Sequence, residues 1–94
     1  MSNCIIAVIG MPGCPACEEH MPRVQVAAAR HPGVQVYIIN AESQAPEAQA
    51  FLNKYGIQAT PTTLVLRRPV GVIKREGALE DAELEGLFQI AERS

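Results

Sequence analysis

Cys4-Ile5-Ile6-Ala7-Val8-Ile9-Gly10-Met11-Pro12-Gly13-Cys14-Pro15-Ala16-Cys17 carries an apolar run into a turn and then into two cysteines three positions apart. An unbroken apolar run of this length reads as a strand, Cys4 to Ile9, covered on both faces. Gly10-Met11-Pro12-Gly13 reads as a loop. Beyond it, Met21, Val24 and Ala28 recur at helical spacing. The cysteines therefore fall at a strand-to-helix junction, with Cys14 at or near the helix N-terminus. Unpaired N–H groups and the helix dipole favour an anion there, and the thiolate is the reactive form of cysteine.

Working outward, residues 15–30 are the first helix, with Pro15 at its first position, where a missing N–H costs nothing. Pro22 is expected to kink or loosen it, and His31-Pro32-Gly33 ends it. Val34 to Asn40 is a second strand rich in β-branched residues. Its parallel return makes residues 4–40 a βαβ unit. Ala45 to Tyr55 is a second helix with Ala48, Phe51, Leu52 and Tyr55 on one stripe, capped by Gly56. Thr62 to Arg67 is a third strand, Arg67-Arg68-Pro69 a turn, and Val70 to Arg75 a fourth, edge strand. Glu80 to Glu92 is a last helix. Leu84, Leu87, Phe88 and Ala91 face the core, and acidic residues load its first turn. The order βαβαββα fills residues 1–94 as a single α/β domain, with no room for a linker.

Eight Lys and Arg against ten Asp and Glu leave a net charge of −2. That balance excludes a basic nucleic-acid footprint and a polybasic membrane patch. The apolar run behind Met1-Ser2-Asn3 is too short for a signal segment or a membrane span. A cytoplasmic protein is expected, its three cysteines mostly reduced and without a structural disulfide framework.

Two intervening residues place both sulfurs on one helical edge, within bonding reach. Cys14, more exposed at the loop end, is the expected attacking thiol. Cys17, one turn in, resolves the mixed disulfide that forms, and the small Ala16 leaves access. The main rival is half of a zinc site, completed from Cys4, His20 or His31. Against it, no second CxxC or HxxxH is present, and Cys14, Cys17 and His20 spread along a helix instead of converging. Cys4 reads as a small core residue, with a regulatory thiol as the alternative. His20 reads as a solvated helix histidine or a tuner of the pair, and His31 as a surface residue before a turn. Arg67-Arg68 reads as a solvated hairpin or a contact for an acidic partner. The charges of Glu18 and Glu19 oppose a nearby thiolate and limit its activation.

The chain resembles the thioredoxin family in more than its Cys14-Pro15-Ala16-Cys17. Pro22 is similar to the family's helix-kinking proline. Lys54-Tyr55-Gly56-Ile57-Gln58-Ala59-Thr60-Pro61-Thr62 resembles the segment leading into its cis-proline, and Gly77-Ala78-Leu79 the lead into its last helix. The likeness spans residues 4–92 without the family's additional N-terminal strand and helix. It implies a minimal thioredoxin-like fold: a four-stranded mixed sheet in order 2-1-3-4, flanked by three helices. It implies a cis Thr60–Pro61 bond beside the dithiol and a substrate backbone held at Thr60 and Pro61 by short strand addition, with Pro15 and Ala16 adjoining.

The resemblance also implies thiol–disulfide exchange with protein disulfides, electrons from an external reductase, a monomer, and no metal or organic cofactor. Three positions depart from the family pattern. Gly13 stands where a Trp usually precedes the first cysteine, which implies different recognition. Val8 and Ile38 stand where the family has a buried Asp and its Lys partner, which leaves Cys17 without that proton acceptor. Pro69 stands in place of a turn glycine. A glutaredoxin-like electron donor and a non-catalytic binding module remain as alternatives. The first fits the chain length, but Gly77-Ala78-Leu79 lacks the glycine pair that holds glutathione there.

Overall fold

Residues 4–67 and 72–93 are described in a computed structural model. Seven elements follow one another: β1 (Cys4–Gly10), α1 (Pro15–Arg30), β2 (Gln35–Asn40), α2 (Pro46–Lys54), β3 (Thr62–Arg67), β4 (Val72–Glu76) and α3 (Asp81–Glu92). The sheet runs β2-β1-β3-β4. β2 is parallel to β1, while β3 and β4 are each antiparallel to their neighbours. This is the expected order. The Arg68-Pro69 part of the hairpin turn and Val70 lie outside the described residues, and so do Met1, Ser2 and Asn3.

β1 is central because nearly every residue on both of its faces is apolar. Cys4, Ile6 and Val8 point into one core with Val65, with Val24 and Ala27 of α1, and with Leu84, Leu87, Phe88 and Ala91 of α3. Ala7 and Ile9 point into the other with Leu64, packed under Phe51, Leu52 and Tyr55 beside α2. The period-two alternation of a strand thus divides one apolar run between two layers of helix. Cys4 is fully packed as a core residue. α2 ends at Lys54 with Tyr55 as its C-cap, and Gly56 takes the left-handed conformation (φ 61°) that closes the turn. A capping box between Glu80 and Glu83 starts α3.

α1 is one helix with Pro22 inside it. Three readings need correction: the core-facing stripe of α1, His20 and His31. The buried stripe of the helix is Cys17, His20, Val24 and Ala27, with Met21 and Ala28 packed at the margin, so the core-facing stripe is rotated from the expected one. His20 is consequently fully buried, not solvated. His31 is also buried. It ends α1, and its ring sits between two carboxylates of α3: Nδ1 donates to Glu92 Oε2 (2.8 Å) and Nε2 donates to Glu85 Oε2. A turn histidine is drawn inside because it joins the end of α1 to α3 over the ring of Phe88.

Ionised carboxylates only accept hydrogen bonds, so both ring nitrogens of His31 serve as donors and the imidazolium is favoured. The bond to Glu92 and then that to Glu85 raise its pKa above 6.5. Burial, followed by the Arg23 charge, lowers that of His20 below 6.5. The two act in opposite windows. A raised folded-state pKa gives stability that is complete below 6.5 and lost as pH rises through the folded value. A lowered one costs stability as pH falls below 6.5, because the unfolded chain takes the proton first. Urea midpoints followed against pH should therefore peak near pH 6.5. His31→Gln should flatten the alkaline limb. A limb unchanged by that substitution would remove the clamp as its cause.

Candidate dithiol site

Cys14 is the N-cap of α1, and Pro15 occupies the first helical position. The Cys17 N–H donates to Cys14 Sγ (3.2 Å). This places the sulfur where a helix start offers an otherwise unpaired donor. Cys14 and Cys17 are joined by a disulfide, with Cα atoms 5.2 Å apart, inside the range a bridge requires. Cys14 is 8% exposed and Cys17 5%. The order is the expected one, but both sulfurs are largely covered, because Thr60 lies over Cys14.

The Thr60–Pro61 bond is cis, and this loop packs beside the disulfide. Thr60 Oγ1 lies 3.5 Å from Cys14 Sγ and its O–H points a donor at the sulfur. The Thr60 carbonyl oxygen lies 3.6 Å from the same sulfur. Thr60 is partly exposed and Pro61 buried, while Pro15 is exposed and Ala16 intermediate at the helix mouth. Gly13 has φ 74°, a conformation that L side chains rarely adopt, although a Cβ would meet nothing within 4 Å. Backbone conformation, not a clash at Cβ, therefore disfavours a side chain here. Val8 and Ile38 face each other in the β1–β2 register. Val8 is in the core, whereas Ile38 is 61% exposed on the sheet edge, so neither leaves a buried charge unpaired.

A groove of about 580 Å³ opens on the β2 side of the disulfide. Met11, Pro12, Met21, Pro22 and Ile38 give it apolar walls, and Cys17 and Glu18 line it. Gly10 closes it tightly, since a Cβ there would come within 2.6 Å of Met21 Cε. Glu18 and Glu19 are exposed. Among the described residues no group of three or more His, Cys, Asp or Glu side chains is arranged to hold a metal ion. His20 and His31 are each engaged elsewhere. No helix among the described residues is long and apolar enough to cross a membrane.

Sequence reasoning missed the polar link behind the disulfide. The Leu79 N–H donates to His20 Nδ1 (3.2 Å), and His20 Nε2 lies 2.8 Å from Thr63 Oγ1. The signal was present. Position 20 lies three residues beyond Cys17 and four before Val24, on the inward face of α1, and Thr63 follows Pro61 by two.

No protein-family model matches the chain. A Streptomyces coelicolor protein bearing the name thioredoxin 2 is 34% identical over 71 residues, which is 76% of this chain and 50% of that protein. The chain thus spans about half the length of that relative. Solved structures share the fold, among them two thioredoxins. The thioredoxin NaTrxh of Nicotiana alata superposes with a TM-score of 0.79 at 23% identity, over 97% of this chain and 75% of its own. The germline-specific thioredoxin Deadhead of Drosophila melanogaster has a TM-score of 0.79 at 18% identity, over 95% and 81%. Sequence kinship with one thioredoxin over half its length makes the chain a thioredoxin homologue, and the architecture it holds in common with others is the thioredoxin fold.

Proposed function

We propose that the protein is a thiol–disulfide oxidoreductase acting on protein disulfides, with Cys14 as nucleophile and Cys17 as resolving thiol. One observation carries the reading: the Cys14 sulfur caps α1, accepts the Cys17 N–H and faces the Thr60 hydroxyl. Hydrogen bonds to a charged sulfur are stronger than those to a neutral one, so this setting favours the thiolate of the reduced protein.

The exchange balances in two steps. The Cys14 thiolate attacks one sulfur of a substrate disulfide, forming a mixed disulfide and releasing the other sulfur as a thiolate. Cys17 gives its proton to solvent and attacks Cys14 Sγ. The second substrate sulfur leaves as a thiolate, and the protein holds the Cys14–Cys17 disulfide. Two electrons have passed to the substrate, and an external reductase returns them.

Thr60 and Pro61 hold the substrate backbone in this account, with Pro15 and Ala16 at the rim. The apolar groove beside Cys17 supplies contact area. We place the reaction in the cytoplasm, carried out by a monomer with no further cofactor. Insulin reduction driven by dithiothreitol tests the reading: micromolar protein should hasten precipitation of the released chains. A rate equal to dithiothreitol alone would overturn it. Parallel assays with glutathione and with a flavin reductase identify the electron donor.

A further inference from the structure

The exchange chemistry leaves one buried polar group unused. His20 is fully buried, one turn beyond Cys17 on α1. A backbone N–H can only donate, so Nδ1 is the acceptor from Leu79 and the neutral ring carries its proton on Nε2. Nε2 therefore donates to Thr63 Oγ1. Both nitrogens are committed, and in this tautomer the ring is no proton acceptor for Cys17. Its partners define a different role. Thr63 follows Pro61 by two residues on β3, and the adjoining Thr60 supplies the hydroxyl facing Cys14. Leu79 lies just before α3. One imidazole thus links the helix that carries the cysteines, the strand that carries the cis-proline loop and the lead into α3.

We propose that His20 is a positioning residue for the dithiol, fixing α1 against the start of β3 so that Thr60 stays within hydrogen-bond reach of the Cys14 sulfur. The proposal rests on the exchange reading. Without the link, α1 and β3 are free to shift relative to each other, the Thr60 hydroxyl loses its alignment, and the thiolate loses a donor. A buried N–H and hydroxyl are also left unsatisfied, which lowers stability by itself. A test must separate these two effects.

The measurement is the rate of iodoacetamide alkylation of Cys14 in the reduced full-length protein at pH 7, with the urea midpoint of every variant. His20→Leu should slow alkylation about threefold, the order expected from losing one hydrogen bond. Thr63→Val, nearly isosteric, cuts the same link from the other side and should slow it equally. The double variant should add little further, because the two residues act as one unit. His20→Gln, which can return a donor toward Thr63, should restore most of the rate.

Lower urea midpoints with alkylation unchanged in both His20→Leu and Thr63→Val would overturn the proposal, leaving the pair a structural link alone. Alkylation does not depend on turnover. A wild-type protein inactive on insulin would sink the exchange reading, whereas the alkylation series reads the positioning role directly.

Discussion

Cys14→Ser should reduce insulin turnover to the level of dithiothreitol alone, whereas Cys17→Ala should stop the reaction halfway. The two cysteines are close in space and unequal in setting. Cys14 caps α1 and faces the Thr60 hydroxyl, while Cys17 lies one turn in with its sulfur near Gly10. Serine at position 14 retains a cap but offers no nucleophile of useful reactivity at neutral pH. Alanine at position 17 leaves the attacking thiol in place and removes the group that displaces the product. A covalent adduct between protein and substrate should then accumulate, visible by mass spectrometry and dispersed by added thiol. An adduct at Cys4 in place of Cys14, or none at all, would contradict the assignment of roles. Cys4 is buried at the start of β1 and should react only on unfolding.

The second large effect concerns stability. Phe88→Ala should cost about 3–5 kcal/mol, the range for truncating a fully buried aromatic residue. Phe88, on α3, is completely enclosed in the core it shares with β1 and α1, and its ring lies 5.7 Å from that of His31. Removing it opens a void under the His31 clamp as well as in the core. A domain of this size has only about 5–15 kcal/mol in total. The variant should unfold at a much lower urea concentration, and its alkaline stability limb should flatten as His31 loses its support. A loss below about 1 kcal/mol would mean that the core closes around the gap.

How much of this was legible beforehand depended on whether a residue's fate was local. β1 was readable because an uninterrupted apolar run fits few places other than the centre of a sheet. The start of α1 was readable because Pro15 and the two cysteines fix it chemically. The cis bond at Pro61 came from likeness to a family, not from spacing. The histidines were misjudged because their burial is decided by distant segments. His20 turns inward to meet Thr63 and Leu79, which lie 43 and 59 positions away. His31 meets Glu85 and Glu92 only once α3 has docked. A helical stripe drawn through Cys17, His20, Val24 and Ala27 would have located the first. Nothing local pointed to the second.

The central claim is that Cys14 and Cys17 cycle between a dithiol and a disulfide. A redox titration tests it most directly. The protein is equilibrated in dithiothreitol buffers of graded potential, quenched with acid and alkylated, and its free thiols are counted by intact mass. The account predicts a single reversible two-electron transition in which Cys14 and Cys17 bridge and Cys4 remains a thiol throughout. Failure of Cys14 and Cys17 to bridge at any potential, or a transition that consumes Cys4, would contradict it.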